Sequence, residues 1–255
     1  YTKTIRRIRM DITQPMIHDR HVVKNVFEYM KVNEINKGAF KKPNNLTVLT
    51  AKNEGKHDRM IPNLQGYDEV TIFEQSLNYL GVDDYVVLSK KMDPTQWKCS
   101  HKINWVLDYL NSDKCETELI LCCDAIDVIF TDDLQRIVDI FESFECDLLF
   151  MSTKYNSGYH FMPDVQEFVN RTHPNRYLNA GVWIGRVDFV KQFLETASQF
   201  VGENDVTFEE YREWLTKPNP NYPAGGYDQD IFRFLEPKFY PQLKVDHKNL
   251  MAYRG

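Results

Sequence analysis

Several features that mark specialised proteins are missing from this 255-residue sequence. No apolar run reaches the length of about 18 residues that a membrane-spanning helix needs, and no secretory signal sequence is recognisable. The five cysteines are odd in number, and no two stand at the spacing of a metal-binding pair. The formal net charge is −6, so the chain lacks the basic excess of proteins whose main partner is nucleic acid. The remaining composition, 42% hydrophobic and 27% charged, is that of a soluble globular protein.

These absences leave two alternatives for the cellular compartment. The lack of a signal sequence favours the cytoplasm. The first residue is Tyr1 rather than Met, so a leader removed upstream would instead place the protein in the lumen of the secretory pathway. Two glycosylation sequons, at Asn45 and Asn170, do not decide between the alternatives, because such triplets often arise by chance.

The stretch from Leu119 to Phe130 is the most informative segment of the chain. It reads Leu-Ile-Leu-Cys-Cys-Asp-Ala-Ile-Asp-Val-Ile-Phe, an apolar run that ends in Asp124 and is followed by a second carboxylate at Asp127. A run this short and this apolar predicts a strand buried on both faces, as in the middle of a parallel sheet. Its two adjacent cysteines would point to opposite faces, so we expect them to be reduced.

The pair Asp124 and Asp127 is a candidate metal site. Open α/β sheets bind ligands at the carboxyl ends of their strands, which is where both residues are expected. Two carboxylates left alone there would repel each other, and a divalent cation relieves this repulsion. Oxygen ligands suit Mg²⁺ or Mn²⁺. The alternative is a solvated turn without a chemical role, which is common for Asp-x-x-Asp taken alone.

Strand and helix patterns alternate along the chain. This alternation predicts an α/β protein with a mostly parallel, Rossmann-like sheet that is covered by helices on both faces. The segment 154–174 is expected to be mostly loop, with one helical turn at 165–169. The predicted strands include 46–50, 84–89, 147–152 and 176–184, and the predicted helices include 97–110, 134–144, 187–200 and 226–235.

The domain organisation follows from a break in the pattern near residue 43. We expect a single domain over residues 44–255, preceded by an N-terminal extension over residues 1–43. Val22, Val26 and Met30 recur at helical spacing, so the extension should contain one amphipathic helix.

Three segments in register suggest a family. They are Asp124-Ala-Ile-Asp127, Arg176-Tyr-Leu-Asn-Ala-Gly-Val-Trp-Ile-Gly185 and Tyr227-Asp-Gln-Asp-Ile-Phe232. Together they resemble the metal-binding, Arg-Tyr-Leu-Asn-Ser-Gly and Asp-Asp-Gln segments in the glycosyltransferase domain of procollagen lysyl hydroxylases. More distantly, the third segment resembles the Asp-Gln-Asp motif of glycogenin-like galactosyl- and glucosyltransferases. The resemblance extends from about residue 46 to the end.

The resemblance implies a GT-A fold, a UDP-sugar donor and Mn²⁺ or Mg²⁺ as the metal. The expected reaction transfers a hexose, galactose or glucose, to a hydroxyl of a glycan or glycoprotein acceptor. Asp124 and Asp127 would bind the metal, which would neutralise charge on the leaving diphosphate. The family's third metal ligand is a histidine near the end of the domain; His247 is a candidate for it, and a structural histidine is the alternative.

The resemblance also implies catalytic residues. Asn179 would line the donor and acceptor pocket, and Asp228, Gln229 and Asp230 would lie near the sugar and the incoming hydroxyl. A carboxylate there could act as a base in an inverting enzyme or hold sugar hydroxyls. The alternatives are that Asp228 and Asp230 charge the first turn of a helix and that Asn179 satisfies local backbone groups.

Three residues are predicted to contact the donor. Lys102 would approach the diphosphate or the sugar, and the alternative is a solvated helix lysine. Thr50 and Ala51 close the first strand of the sheet, where the nucleoside usually docks in this fold.

Two other classes of protein remain as alternatives. A nucleotidyltransferase also joins paired aspartates to a parallel sheet, but it would carry a Gly-rich basic loop after the first strand. The loop here, Lys52-Asn-Glu-Gly-Lys56, has one glycine and disfavours that class. A catalytically silent sugar-binding module is the second alternative. An aspartyl-nucleophile phosphatase is disfavoured because its Asp pair would follow the first strand at two-residue spacing.

Overall fold

The computed structural model describes residues 13–18, 30–31, 34–35, 37–38, 40–53, 70–92, 97–156, 162–201 and 227–253. These residues form nine strands and six helices. The strands are β1 (Met16–His18), β2 (Leu46–Asn53), β3 (Val86–Lys90), β4 (Leu119–Cys123), β5 (Val128–Phe130), β6 (Leu148–Thr153), β7 (Tyr177–Arg186), β8 (Leu243–Val245) and β9 (Ala252–Tyr253). The helices are α1 (Ile72–Leu80), α2 (His101–Leu110), α3 (Leu134–Ser143), α4 (Pro163–Thr172), α5 (Val187–Ser198) and α6 (Asp228–Phe239).

The main sheet has six strands in the order β3-β2-β4-β7-β6-β8. Strand β7 runs antiparallel to both of its neighbours, and the other five strands are parallel to one another. The predicted α/β class with a mostly parallel sheet is therefore confirmed. The strand that contains Leu119 lies inside the sheet, as its apolar sequence predicts.

Two buried clusters cover the two faces of this sheet. The first packs α1 and α3 against one face, and the second packs α2, α4, α5 and α6 against the other. Cys123 belongs to the first cluster and Cys122 packs against the second, so the two side chains point to opposite faces as predicted. All five cysteines are free.

A second, three-stranded sheet has the order β5-β1-β9. Its central strand, Met16–His18, belongs to the segment predicted as an N-terminal extension, and it pairs antiparallel with β5 and parallel with β9. Part of that segment is thus built into the domain, while the boundary near residue 43 stays a prediction. Met30 is helical and buried, but the rest of the amphipathic helix predicted for the extension lies outside the described residues.

Helix α4 is longer than the sequence analysis predicts. The segment was expected to be mostly loop with a single turn at 165–169, but it forms a helix over Pro163–Thr172. Pro163 stands at the start of the helix, where its missing N–H leaves no hydrogen bond unmade. Val165, Phe168 and Val169 are buried at helical spacing, so tertiary packing stabilises a helix that the polar sequence around them only weakly favours.

Strand β7 contains a bulge near the carboxyl end of its neighbour β4, where Asp124 lies. Its pairing with β6 jumps from Trp183 opposite Phe150 to Asn179 opposite Met151, so residues 180–182 leave the β6 ladder. The pairing with β4 continues, with Val182 opposite Cys123. Bulges bend a strand and often lie beside functional sites.

No helix among the described parts of the chain is long and apolar enough to cross a membrane.

The start of α1 is bonded to the turn that contains the two aspartates. The Thr71 hydroxyl accepts the Glu74 N–H at 3.2 Å, and the Glu74 carboxylate accepts the Thr71 N–H at 2.9 Å, which together form a capping box. Phe73 N–H then donates to the Ala125 carbonyl at 3.2 Å. The first turn of this helix therefore supports the turn between Asp124 and Asp127.

Replacing Thr71 with Ala should lower the free energy of unfolding by about 1 kcal/mol, because the Glu74 N–H loses its acceptor. Urea denaturation measures the loss. A suitable control is Thr196→Ala within α5, where the hydroxyl donates to the Gln192 carbonyl; it should change stability by less than about 0.5 kcal/mol. Equal losses in both variants would contradict the capping role.

Candidate metal and donor site

Three side chains, His18, Asp124 and Asp127, converge at the carboxyl end of β4. Nε2 of His18 lies 3.1 Å from Oδ2 of Asp127 and 3.7 Å from Oδ2 of Asp124. The side chains of His18 and Asp127 are 4% and 8% exposed, whereas that of Asp124 is 29% exposed. The cluster is therefore closed on the side of His18 and open on the side of Asp124.

Strand pairing brings these residues together from distant parts of the chain. Asp124 directly follows β4, and Asp127 directly precedes β5. His18 is the last residue of β1 and is paired with Val128, the residue after Asp127. This cross-strand register places the imidazole next to the Asp127 carboxylate.

The cluster fits a divalent metal ion. One ligand atom from each of the three residues lies within 4.8 Å of the others, a separation compatible with ligands of a single ion. Two carboxylates and one imidazole are donors that Mn²⁺ and related ions accept. Nδ1 of His18 is buried and has no hydrogen-bond partner among the described residues, so Nε2 is the ring nitrogen that contacts the carboxylates.

Lys102 supplies a positive charge next to the cluster. Its ammonium lies 2.8 Å from Oδ1 of Asp124 and 2.8 Å from Oδ2 of Asp228. Burial opposes this charge, but the two carboxylates outweigh it, so the pKa of Lys102 lies well above its ordinary value. Burial raises the pKa of Asp228, with Lys102 acting in the opposite direction. Lys102 is thus a partly buried bridge between two acids, not a solvated helix lysine.

The two acids of the Tyr227-Asp-Gln-Asp segment have different surroundings. Both lie in the first turn of α6. Asp228 lines a small cavity together with Lys102 and Asp124. Asp230 is 3% exposed and instead lies 3.8 Å from the guanidinium of Arg233, which is fully buried and donates to the Leu178 carbonyl at 2.9 Å. Only the first of the two acids therefore faces the candidate site.

Asn179 and Gln229 connect β7 to the start of α6. Oδ1 of Asn179 accepts the Gly181 N–H at 3.0 Å, and Nδ2 of Asn179 lies 2.9 Å from the Gln229 carboxamide. Gln229 also lies 3.1 Å from the Arg233 guanidinium, so its oxygen can accept from only one of these donors at a time. Asn179 thus accepts a hydrogen bond from a nearby backbone N–H, which was the alternative interpretation of the sequence. Its place in the donor and acceptor pocket stays a prediction.

The second half of β2 lies next to this cluster. The strand continues to Asn53, so the prediction that Thr50 and Ala51 close it is wrong: pairing with β3 extends it by two residues. Thr50 is fully buried, and its hydroxyl donates to the Cys123 carbonyl at 2.7 Å. Ala51 lines the same cavity as Asp124 and Lys102. The structure places the two residues beside the candidate site, and the nucleoside contacts expected of them remain predictions.

The sequence analysis missed His18. The ring of His247, the candidate for a third ligand, is exposed in the turn after β8 and packs edge-on against Phe144, with ring centroids 5.6 Å apart; it is not part of the cluster. The available signal for His18 was the short apolar segment Pro15-Met-Ile-His18, in which a ligand-type residue ends a strand-like run. Three residues are too few to identify a strand from periodicity.

The mostly parallel sheet and the acid cluster at its carboxyl edge agree with the GT-A fold that the sequence resemblance implies. Residues 42–208, more than half of the chain, match the family model described as the PLOD GT domain. The chain therefore belongs to this family of lysyl hydroxylase glycosyltransferase domains. The matched region includes Asp124, Asp127, Lys102 and Asn179 but neither His18 nor the segment that begins at Tyr227.

Two solved structures are similar to the chain at low sequence identity. A glycosyltransferase involved in the glycosylation of the major capsid of PBCV-1 is 14% identical, with a TM-score of 0.43 over 78% of this chain and 80% of that chain. Mouse xyloside xylosyltransferase 1, in its apo form, is 11% identical, with a TM-score of 0.42 over 80% of this chain and 85% of that chain. No curated protein matches the chain. At these TM-scores the likeness carries no weight, and the assignment rests on the family match and the sheet.

The environment of Asp230 predicts a pH-dependent stability. Burial raises the pKa of Asp230 from 3.8 to about 7, with Arg233 acting in the opposite direction and Asp228 adding to the rise. Because the folded state binds this proton more tightly than the unfolded chain, the stabilisation is fully present below about pH 4 and is lost as the pH rises through about 7.

Replacing Asp230 with Asn, which mimics the neutral acid, should remove this decline. The wild type should lose up to about 4 kcal/mol of stability relative to the variant between about pH 4 and pH 8. Urea denaturation across this pH range, with EDTA present, provides the measurement. Asp139→Asn, at an exposed position of α3, is the control and should follow the wild-type profile. An Asp230→Asn profile parallel to that of the wild type would show that the carboxyl is already ionised near pH 4.

Proposed function

We propose that the protein is a metal-dependent glycosyltransferase that moves a hexose, galactose or glucose, from a UDP-sugar to a hydroxyl of a glycan or protein acceptor. The observation that carries this proposal is the convergence of His18, Asp124 and Asp127 at the carboxyl end of β4, in a domain that belongs to a glycosyltransferase family. This edge of an α/β sheet is where ligands bind.

The three converging side chains are the proposed ligands of Mn²⁺ or Mg²⁺. The ion, when bound, would neutralise negative charge on the leaving nucleoside diphosphate. Asp124 has the most exposed of the three side chains, so we assign to it the side of the site at which the donor arrives. His18 and Asp127 close the opposite side and exclude water from it.

Lys102 is the proposed contact for the donor diphosphate. Its ammonium is already held between Asp124 and Asp228 at 2.8 Å from each. A positive charge that is fixed in place before the donor binds stabilises developing negative charge without further reorganisation. We place the nucleoside beside Thr50 and Ala51, in the second half of the neighbouring strand β2.

Asp228 is the acid that we assign to the sugar or the acceptor hydroxyl. It shares a cavity with Asp124 and Lys102, and as a carboxylate it can accept a hydrogen bond from a hydroxyl or take its proton. Asp230, Gln229 and Asn179 would act on Asp228 indirectly, because their contacts with Arg233 and β7 hold the first turn of α6 in place. Retention and inversion are both compatible with this assignment.

Binding of UDP should depend on the metal. With Mn²⁺ present and UDP at about 100 times its dissociation constant, the melting temperature should rise by about 5–10 °C. With EDTA in place of Mn²⁺, the same concentration of UDP should give no shift, because the diphosphate loses its link to Asp124 and Asp127. Uridine with Mn²⁺ is the control for binding through the nucleoside alone. An equal UDP shift with and without metal would rule out the metal clamp.

Activity should depend on Asp127. The wild type should slowly hydrolyse a UDP-hexose in the presence of Mn²⁺, and Asp127→Ala should reduce that rate at least about 100-fold because a metal ligand is lost. Release of UDP measures the rate. Asp139→Ala removes an exposed carboxylate of α3 and should keep the wild-type rate. A wild type that hydrolyses none of the UDP-hexoses would favour the silent sugar-binding module.

A further inference from the structure

Gly181 lies directly against the imidazole of His18. A Cβ atom built on Gly181 would stand 2.3 Å from Cε1, 2.8 Å from Nε2 and 2.9 Å from Nδ1 of that ring. All three distances are shorter than real Cβ contacts, so no other residue fits at this position while the ring keeps its place.

The need for glycine at this position is steric and not conformational. The described glycines with a positive φ are Gly38 and Gly81, so the backbone of Gly181 has a conformation that other residues adopt. The neighbouring positions in the bulge, Ala180 and Val182, carry buried side chains. What distinguishes Gly181 is that the imidazole of His18, which belongs to another strand, fills the space that a side chain would occupy.

Hydrogen bonds and strand pairing hold the backbones of both Gly181 and His18 in place. The Gly181 carbonyl accepts the Asp124 N–H at 2.8 Å, and the Gly181 N–H donates to Oδ1 of Asn179 at 3.0 Å. His18 lies in the central strand of the small sheet, paired with Val128 of β5. An added methyl group would therefore have to be accommodated by rotation of the imidazole.

That rotation would carry Nε2 away from the carboxylates. In the structure Nε2 points at Asp127 and Asp124, at 3.1 and 3.7 Å, while the Cε1 edge of the ring, with both nitrogens, lies against Gly181. The bulged strand β7 thus provides the surface that holds the ring in the orientation needed for a ligand.

We propose that Gly181 is a positioning residue of the metal site, whose missing side chain fixes the orientation of the His18 ring. The proposal rests on the proposed function in one respect, because the affinity for the bound ion reports whether the ring has the orientation of a ligand. It means that the segment Arg176–Gly185 must have glycine at position 181, so that the ring of His18, the third proposed ligand, can lie against it.

A double-mutant cycle between Gly181→Ala and His18→Ala tests the proposal. Mn²⁺ affinity is measured by calorimetry on the whole chain, without UDP, for the wild type, both single variants and the double variant. Gly181→Ala should weaken Mn²⁺ binding at least about tenfold, as His18→Ala does. The double variant should bind Mn²⁺ as His18→Ala alone does, because the methyl group acts only through the ring. Wild-type affinity in Gly181→Ala, or additive losses in the double variant, would overturn the proposal.

The same four proteins, melted in EDTA, test the steric coupling without any metal. Gly181→Ala should lower the melting temperature by about 5 °C in the wild-type background and by little in the His18→Ala background. If Gly181→Ala does not fold, folding of the double variant supports the proposal, and failure of both overturns it. An equal loss in the two backgrounds also overturns it.

Gly185→Ala is the matched control on the same strand. Its Cβ would meet Val190, Asp147 and Leu148 at 2.7–3.0 Å and not His18, so its thermal effect should be the same in both backgrounds. If the wild type binds no Mn²⁺, the proposed metal-dependent function fails, whereas the melting data in EDTA still decide whether Gly181 positions the His18 ring.

Discussion

Repulsion between carboxylates is the constraint on which the arrangement of this site depends. Asp124, Asp127 and Asp228 are held at one edge of a buried sheet, where low local dielectric strengthens the interaction between like charges. Lys102 contacts two of these acids, and His18 contacts two of them. Each acid therefore has a nitrogen partner at or near hydrogen-bonding distance, and a divalent ion would add positive charge to that of Lys102.

The same contacts tie distant parts of the chain together. His18 comes from the N-terminal region, Lys102 from α2, and Asp228 from α6, while the two aspartates flank a turn between β4 and β5. The hydrogen bond from Phe73 to Ala125 adds α1 to this set. A site assembled in this way exists only when both sheets have formed, so its electrostatics and the stability of the fold are linked.

The two acids in the Asp-Gln-Asp segment show how a single sequence pattern can contain different physical roles. Asp228 shares its cavity with charged residues of the candidate site, whereas Asp230 is buried against Arg233. Both charge the first turn of a helix, which the dipole favours, so the sequence alone treats them as equivalent. Their roles differ because the two side chains point to different sides of α6 and because Asp230 lies near the buried guanidinium of Arg233.

Much of the fold could be predicted from the sequence, because strong local patterns agree with the final structure. The apolar run at Leu119 became an inner strand, and Asp124 ends it at the edge where ligands bind. The antiparallel direction of β7 and its bulge at residues 180–182 could not be predicted, because strand direction is a property of pairing and not of periodicity. The full length of α4 was missed because its apolar positions are stabilised by contacts with the second cluster.

The amino-acid sequence by itself determined the α/β class and the pair of acids, since apolar runs and helical spacing reflect burial and the Asp-x-x-Asp spacing suits a metal ion. Only the tertiary structure decided that a histidine more than 100 residues before the acids joins them, and that His247 does not. The physical reason is that cross-strand register, here His18 opposite Val128, joins residues regardless of their separation along the chain. The role of Gly181 likewise depends on contacts between residues far apart in the chain, because glycine is required there only when the ring of His18 fills the space of a side chain.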